Sequence, residues 1–565
     1  MGVAAAEGAP PPPPHPRAAW YINVLCTWTL SLLAFTGRIR DLFWTRPKTR
    51  KGFAEISDPH QDFYNRRLYG RIHDCWNRPI ASAPGAWIDV MEREDIAGSY
   101  KSTRKLAFTG RRQRCLNLGS YNYLGFAAAD EYCTPRVLST MEAWGISTCS
   151  SRAEGGTTPL HAELEGLVAE FLGTEDAITY GMGFATNSAS IPALCGPGTL
   201  VLSDALNHTS IVAGVKASGA SVKVFRHNNV RHLESLLRFH IAEGQPRTHR
   251  PWKKVRLRAW GCMRAARGAA GAGLCEQAGV DPRDVDVLMG TFTKSFGSAG
   301  GYVAGSKRLV AYLRRHSPAH LYAASIAPGA AQQIISALKL IRGDDGSGRG
   351  AAKVAQLHDN ANYFRRKLLE MGLHVLGDWD SPVMPIMVYH IGLLASLSRR
   401  LLSRRVAMVV VGFPATPLLL CRCRVCISAA HSREDLDYAL DALRDLVAAS
   451  GIDFANRSGG GLRGLLARLT GRAPPRGWRA PAGGAAALAA ELSAPCGGCG
   501  EGACGGLGSR RASSDGSSCS GSAVVSGGSS SIADSSSCGA SADISRPGSA
   551  ADSWAALAPS AAKSV

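Results

Sequence analysis

The stretch GTFTKSFGSAGGYVAG, residues 290–305, follows the apolar run DVDVLM and places one lysine, Lys294, among glycines and small hydroxyl residues. A lysine that ends a buried strand is costly unless its amine reacts or is paired, because an ammonium group loses its hydration there. Thr291 and Thr293, just before it, offer hydroxyls that can hold a phosphate. The stretch therefore predicts a reactive lysine beside a phosphate site.

Around this stretch, apolar strands and amphipathic helices alternate. The segments HAELEGLVAEFL, SIVAGVKAS and HLESLLRFHIAE have helical patterns, and DAITY, TLVLSD, SVKVF and DVDVLMG have strand patterns. This alternation predicts an α/β domain with a mostly parallel sheet and helices on both faces. Active sites of such folds lie at the carboxyl ends of strands and at lobe boundaries.

A smaller α+β unit follows a long helical stretch at 330–371. The segments PVMPIMVYH, VAMVVVGFP and CRVCISA predict strands, and REDLDYALDALRDLVAAS predicts a helix. We therefore assign residues 52–115 to an N-terminal arm, 116–330 to a large domain, and 331–455 to a linking helix and a C-terminal small domain.

The two ends of the chain have other compositions. After residues 1–17, which we expect to be disordered, AAWYINVLCTWTLSLLAFT carries no charge, and the basic segment RIRDLFWTRPKTRK follows it. The apolar run nearly matches a bilayer core of about 30 Å. We predict that residues 18–51 form a membrane anchor or an in-plane helix, with the body of the protein in the cytosol; a core helix or an organelle-targeting peptide is the alternative.

Residues 456–565 are rich in Gly, Ala and Ser and lack the apolar periodicity of a core, so we expect a disordered tail. The tail contains a CxxC pair, Cys496 and Cys499, but no second pair or histidine completes a metal site, and we expect no metal. The 16 cysteines form no regular framework, which indicates reduced thiols. The net charge of +20 suits a phosphorylated ligand or an anionic membrane, and without a nucleic-acid module we expect no nucleic-acid partner.

Two further motifs follow predicted strands. In TYGMGFATN, Gly181 and Gly183 allow a sharp turn into a helix whose free N–H groups suit an anion. In DALNHTS, His208 lies at a strand end. Each motif alone also fits a structural role, as a turn or as a buried histidine. Taken in order, a phosphate cradle, an aromatic ring and an imine-forming lysine predict a pyridoxal phosphate site.

The lysine stretch also resembles the cofactor-lysine motif of the α-oxoamine synthases, which belong to the fold-type I pyridoxal phosphate enzymes. More narrowly, the segments NRPIASAPGAWIDV, NLGSYNYLGFAAADEYCTPRV, STCSSRAEGGTTPLHAELE, AEGQPRTHRPWKK and FPATPLLL resemble catalytic subunits of serine palmitoyltransferases. The resemblance covers residues 64–453, with one break.

The resemblance implies a role for each candidate residue. Lys294 would bind the cofactor covalently and later move protons, and His208 would stack on its ring. The phosphate would be held by Gly183, Phe184 and Thr291, with Thr293 nearby. The carboxylate of serine would be bound by Arg424, because a guanidinium grips a carboxylate bidentately. Arg422 is a competing candidate, since it is two residues away on the same strand face. Asn122 and Tyr123 would line the substrate entrance.

The implied reaction condenses L-serine with palmitoyl-CoA, with loss of carbon dioxide, to 3-oxosphinganine. The resemblance further implies a hetero-oligomer with a non-catalytic subunit at the endoplasmic reticulum membrane. Two other interpretations stay open. One is another α-oxoamine synthase, which makes aminolevulinate, aminoketobutyrate or a biotin precursor. The other is a non-catalytic or impaired subunit that keeps the fold.

The break favours the impaired form. Between AEGQPRTHRPWKK and GLCEQAGVDPRDVDVLMG the family has strand, helix and strand, and the second strand ends in an acidic residue with a histidine three residues later. This chain has only VRLRAWGCMRAARGAAGA there, 18 residues with no Asp, Glu or His. We predict that a central βαβ piece is missing, through either a faulty gene model or true degeneration, and that cofactor binding and activity are weak.

Overall fold

A computed structural model of the protein describes residues 20–44, 70–96, 106–258, 275, 279–413, 415–450 and 452. All of them belong to one unit, Met1–Leu492. The second unit, Ser493–Val565, lies outside the described residues, as do the predicted disordered segments 1–17 and 456–565.

The N-terminal apolar run forms one helix, α1 (Trp20–Trp44). Among the described residues, no helix is long and apolar enough to cross a membrane, so the spanning form of the anchor predicted for residues 18–51 is not supported. The same helix continues through Arg38, Arg40 and Asp41, which interrupt its apolar character. Thr29 Oγ1 lies 3.2 Å from His390 Nε2 of the C-terminal domain.

The N-terminal arm contributes a short helical turn, α2 (Gly70–Ile72), and a hairpin of β1 (Trp87–Asp95) and β2 (Leu106–Asn117). The two strands pair antiparallel, and β10 (Val406–Ala407) of the small domain adds a parallel third strand to β2. The arm is therefore joined to the small domain by backbone pairing as well as by packing.

The large domain contains six strands and eight helices in the described part of the chain. The strands are β3 (Asp176–Tyr180), β4 (Thr199–Asp204), β5 (Ser221–Phe225), β6 (Lys254–Arg258), β7 (Val287–Thr291) and β8 (Gly301–Gly305). The helices are α3 (Cys133–Trp144), α4 (Pro159–Leu172), α5 (Gly183–Leu194), α6 (Thr209–Ala217), α7 (Val230–Glu243), α8 (Lys307–His316), α9 (Pro318–Leu321) and α10 (Pro328–Arg342).

These strands form two sheets rather than the single, mostly parallel sheet that the alternation predicted. One sheet has the order β5-β4-β6 and is parallel, and the other has the order β3-β8-β7 and is antiparallel. The reason for the antiparallel pairing is that β8 follows β7 after a short turn, with no crossover helix between them.

The two sheets share one hydrophobic core and have separate cores on their other faces. The shared core joins Ile178 of β3, Val303 of β8, Val201 of β4 and Ile191 of α5. On the other face, the β3-β8-β7 sheet packs on α4, α10 and α11 (Arg349–Glu370). The β5-β4-β6 sheet has only a small cluster there, beneath α7.

The C-terminal small domain is an α+β layer, as the sequence predicted. The sheet β11-β12-β9 consists of β9 (Val383–Met387), β11 (Val409–Val411) and β12 (Arg422–Cys426), all antiparallel. It packs on α11, α12 (Ile391–Ser403) and α13 (Arg433–Ser450). The predicted helical stretch at 330–371 is two helices, because α10 ends at Gly343, which adopts φ 81°, a left-handed backbone that ends a helix.

Candidate active site

The end of β7 and the start of α5 form a narrow polar cradle. Thr291 Oγ1 donates to the carbonyl oxygen of Gly300 (3.1 Å) and lies 2.8 Å from Thr293 Oγ1. A side chain at Gly183, the first residue of α5, would place its Cβ 2.7 Å from Thr291 Oγ1, so only glycine fits. No side chain caps this helix start. Its backbone N–H groups and two hydroxyls are donors suited to an anion.

The imidazole of His208 lies next to Phe184, the second residue of α5. Its ring and that of Phe184 have centroids 6.4 Å apart. Nδ1 accepts the backbone N–H of Ser210 (3.2 Å), so in the neutral ring the proton is on Nε2. Burial, and next the positive charge of Lys294, lower the pKa of His208 below its ordinary value. The ring is therefore neutral at physiological pH.

Lys294 and Arg424 contact the same aromatic ring. Lys294 Nζ lies 5.4 Å from the ring centroid of Tyr121, and Arg424 Cζ lies 4.2 Å from it. Arg424 donates through Nη2 to the carbonyl oxygen of Gly119 (3.1 Å) and through Nη1 to the hydroxyl of Tyr121. Its Nε is buried and has no hydrogen-bond partner among the described residues. Tyr121 thus stands between an amine and a guanidinium.

The other two predicted substrate residues, Asn122 and Tyr123, adjoin Tyr121 in the chain. The Asn122 amide donates to the Pro84 carbonyl oxygen (2.9 Å) and accepts the Ala127 backbone N–H (3.1 Å). Tyr123 is buried, with its ring 6.3 Å from that of Tyr121. Both residues hold the loop that carries Tyr121. A role for them at the substrate entrance stays a prediction.

Arg422 lies one register step from Arg424 on the same face of β12, opposite Val411 and Met387. Burial lowers the pKa of its guanidinium. No ion pair joins it to a carboxylate in the described part of the chain. It stays a competing candidate for the carboxylate of serine.

Most of the predicted residues form one chain of neighbours. It runs from Thr293 and Thr291 through Gly183 and Phe184 to His208, and then through Lys294 and Tyr121 to Arg424. Sequence reasoning missed Tyr121, although it quoted the segment YNYLGF that contains it. Loops have no periodicity that tells which of two nearby tyrosines faces the site, so the sequence held no signal for the choice.

The chain matches a sequence model of the class I and II aminotransferases over residues 113–248 and 261–443. It is 52% identical over 470 residues to long chain base biosynthesis protein 2a of Arabidopsis thaliana, covering 77% of this chain and 95% of that protein. It is 45% identical over 432 residues to serine palmitoyltransferase 2 of Dictyostelium discoideum, covering 71% and 88%. The chain belongs to the serine palmitoyltransferase family.

The fold agrees with this membership. The Sphingomonas wittichii serine palmitoyltransferase superposes with a TM-score of 0.58 at 23% identity, covering 68% of this chain and 95% of that one. The Arabidopsis relative is longer than this chain over the aligned region. Because 77% of 565 residues is about 435 residues, about 35 of the 470 aligned positions have no counterpart in this chain.

Pyridoxal phosphate is the cofactor of this family, and the residues fit it in part. The cradle at Gly183 and Thr291 suits its phosphate, Lys294 suits its aldehyde, and neutral His208 suits its ring face. The two strands nearest the division of the sheet offer no such partner to the cofactor's ring nitrogen. The strands that border the sheet division, KVRLR and VLMGT, contain no acidic residue or histidine.

Proposed function

We propose that this chain is the catalytic subunit of a serine palmitoyltransferase. It joins L-serine to palmitoyl-CoA and releases carbon dioxide, coenzyme A and 3-oxosphinganine, at the start of sphingolipid synthesis. The observation that carries the proposal is the placement of Lys294 and Arg424 on one tyrosine ring, at 5.4 Å and 4.2 Å from its centroid. A serine bound there would have its amino group near the amine of Lys294 and its carboxylate near the guanidinium of Arg424.

The chain's own residues orient the substrate rather than supply the electron sink, which is the cofactor's chemistry. Arg424 keeps its bond to Tyr121, which orients the guanidinium, and its partnerless Nε with the neighbouring Nη2 makes a bidentate grip on the serine carboxylate possible. Lys294 moves protons at the α-carbon of serine. His208, neutral and fixed through Nδ1, would lie against the cofactor's ring.

A titration tests the serine site without requiring turnover. Purified protein loaded with pyridoxal phosphate is expected to change its visible absorbance when L-serine is added. Arg424→Ala should weaken the apparent affinity for serine about 100-fold, because a charged bidentate contact is lost. Arg422→Ala, on the same strand face, is the matched control. A larger effect of Arg422→Ala would assign the carboxylate to Arg422, and no response to serine in the unaltered protein would refute the proposal.

A non-catalytic subunit is the proposed partner, and an apolar cleft beside the lysine loop supports this. The cleft has a volume of about 550 Å³, and Phe126, Leu138, Met141 and Gly297 are among its walls. Leu138 is 56% exposed, and contiguous apolar surface of this kind is usually covered in assemblies. Leu138→Glu should reduce copurification with the partner, whereas Leu369→Glu, an exposed leucine on α11, should not.

We place the protein at the endoplasmic reticulum membrane with its body in the cytosol. Helix α1 supports an in-plane position, because Trp28 is 73% exposed and Leu32 and Phe35 are also exposed. A palmitoyl chain and a lipid product suit such a surface. Liposome flotation tests the position: removal of residues 1–51, or Leu32→Glu with Phe35→Glu, should abolish flotation. An altered protein that floats like the unaltered one would contradict it.

A non-catalytic role in the same complex is the second candidate, and the division of the large-domain sheet favours it. It predicts cofactor binding and a serine response without formation of 3-oxosphinganine. Product analysis with serine, palmitoyl-CoA and the partner subunit separates the two candidates.

A further inference from the structure

In the described part of the chain the two sheets of the large domain have four edge strands, and two of them, β6 and β7, follow each other in the sequence. β6 pairs with β4 alone, and β7 pairs with β8 alone. β7 reads VLMGT, with no charged residue, and its Val287 and Met289 are only partly buried. Natural edge strands are normally protected by charges, proline or a bulge. An apolar edge without such protection is typical of a strand whose neighbour is missing.

The chain is also short at this place. Only residues 259–286 separate β6 from β7. The match to the aminotransferase family is interrupted at 249–260, the stretch that contains β6. About 35 positions of the Arabidopsis alignment have no counterpart in this chain. A βαβ unit takes about 30 residues or more, so the stretch 259–286 has room for one crossover between β6 and β7 but not for a further strand with a second crossover.

One strand between β6 and β7 would join the two sheets into one of seven strands. Lys294 follows β7 and His208 follows β4. The His208 ring lies 6.4 Å from that of Phe184, and Gly183, next to Phe184, packs against Thr291 at the end of β7. The carboxyl ends of both sheets therefore meet at this site. The missing strand would end between Arg258 and Thr291, at the edge where ligands of such sheets bind.

We infer that this chain lacks the strand that closes its sheet and, with it, the acidic group that would face the cofactor's ring nitrogen. The inference rests on the proposed cofactor site. Pyridoxal phosphate would then be held by the phosphate cradle, Lys294 and the ring of His208, without a partner for its ring nitrogen. Such enzymes place an aspartate or an arginine at the ring nitrogen, and only an acid keeps it protonated.

The sequence at the gap offers no substitute for this acid. Residues 255–274 include no acidic residue or histidine. A carboxylate near a ring nitrogen favours its protonation, and this part of the sequence supplies none. The ring nitrogen therefore stays neutral in this chain. Serine still finds Arg424 and Lys294, but the ring takes up negative charge poorly and condensation is slow.

A chimera tests the inference. Residues 259–274 are replaced by the longer corresponding segment of the Arabidopsis relative, and the matched control carries the same insert with its strand-end acidic residue changed to asparagine. All three proteins are loaded with ¹⁵N-labelled pyridoxal phosphate. We expect the ¹⁵N signal of a neutral pyridine in the unaltered chain and the control, and that of a pyridinium in the chimera. Cofactor should dissociate at least about tenfold more readily from the unaltered chain, as the loss of one charged hydrogen bond implies.

Hydrogen–deuterium exchange of the unaltered full-length chain gives a second measurement that does not need the chimera to fold. We expect the amides of β6 and β7 to exchange faster than those of β4 and β8. A pyridinium signal in the unaltered chain, or equal protection of all four strands, would overturn the inference. The serine titration reports separately, because a neutral ring without a serine response refutes only the proposed function.

Discussion

The two sheets of the large domain differ in how firmly each is held. The β3-β8-β7 sheet is fixed by buried charges. Arg152 grips Glu165 bidentately (2.8 and 3.1 Å), and Arg314 bonds the same carboxylate (3.1 Å). The β5-β4-β6 sheet has a small apolar cluster of Leu200, Leu202 and Phe225 on its outer face. The site draws Lys294 from the first sheet and His208 from the second, so its geometry depends on how the two are joined.

The contact between helices α5 and α6 joins the two sheets of the large domain. The Asn187 amide on α5 donates to Ser210 Oγ on α6 (3.0 Å). A Cβ at Gly214 of α6 would lie 2.7 Å from the Asn187 carbonyl oxygen, so the two helices touch at a glycine. The phosphate cradle begins at the start of α5 and His208 caps α6. The distance between cradle and imidazole is therefore set by this crossing.

The largest expected effect concerns the lysine of the firmly held sheet. Lys294→Ala should abolish the absorbance band of lysine-bound cofactor and all formation of 3-oxosphinganine, because Lys294 is the only lysine in the sequence between β7 and β8. Absorbance spectroscopy and product analysis measure the two losses. Lys307→Ala, on α8, is the control and should change neither. An unchanged cofactor band in Lys294→Ala would refute the assignment of this lysine.

A stability measurement should show the contrast between the sheets. Glu165→Gln leaves Arg152 buried without a counter-charge and should lower the free energy of unfolding by about 3–5 kcal/mol at pH 7. Glu163→Gln, on the same helix with an exposed ion pair to Lys339, should lower it by less than about 1 kcal/mol. Equal effects of the two substitutions in urea denaturation would show that the buried network does not hold this sheet.

The contribution of Glu165 should also depend on pH. Burial alone would raise the pKa of Glu165, but the hydrogen bonds and charge of Arg152 outweigh it and hold that pKa below the ordinary value of 4.5. Below that value the unfolded chain takes up the proton more readily than the folded one. The advantage of the unaltered protein over Glu165→Gln is therefore complete above pH 4.5 and is lost as the pH falls through the folded-state pKa.

The helix crossing should show an intermediate effect. Gly214→Ala adds a methyl group against the Asn187 carbonyl oxygen and should cost about 1–3 kcal/mol in free energy of unfolding, because α5 and α6 must move apart. Cofactor affinity should fall with it, since cradle and imidazole separate. Gly196→Ala, where the added Cβ meets no atom within 4 Å, is the control. Unchanged cofactor affinity in Gly214→Ala would mean that another contact sets the spacing of the site.

The sequence predicted the elements of the fold better than their assembly. Period-two and helical patterns identified segments such as DAITY and HAELEGLVAEFL, which form β3 and most of α4. The division of the sheet is a long-range property, and the sequence indicated it only indirectly, through a segment too short for a strand, helix and strand. The spanning helix was expected from an uncharged run, without the three charged residues that the same helix includes.

The sequence predicted the site residues that lie at strand ends and helix starts, and it missed Tyr121, which lies in a loop. Residues at strand ends and helix starts, such as Lys294, His208 and Gly183, have positions that follow from the topology of an α/β domain. Tyr121 lies in a loop whose conformation is fixed from a distance: Ser428 of the small domain donates to the Asn122 carbonyl oxygen (2.7 Å). No local pattern reports such a contact.

Tyr121 belongs to neither sheet. The smallest predicted effect concerns its hydroxyl and distinguishes a role in binding serine from a role in binding the cofactor. Tyr121→Phe keeps the ring against Lys294 and removes the hydroxyl bonded to Arg424. Without that bond the guanidinium is less well oriented, and the apparent affinity for L-serine should fall about fivefold, the equivalent of one ordinary hydrogen bond of about 1 kcal/mol.

Cofactor binding should not change in Tyr121→Phe, because the phosphate cradle and Lys294 are untouched. Tyr123→Phe, whose ring is buried next to Tyr121, serves as the control in the same serine and cofactor titrations. If Tyr121→Phe weakens the cofactor as much as it weakens serine, the tyrosine acts through the lysine. If serine alone is affected, the site has a cofactor part, held between the two sheets, and a substrate part, held by the small domain through Arg424.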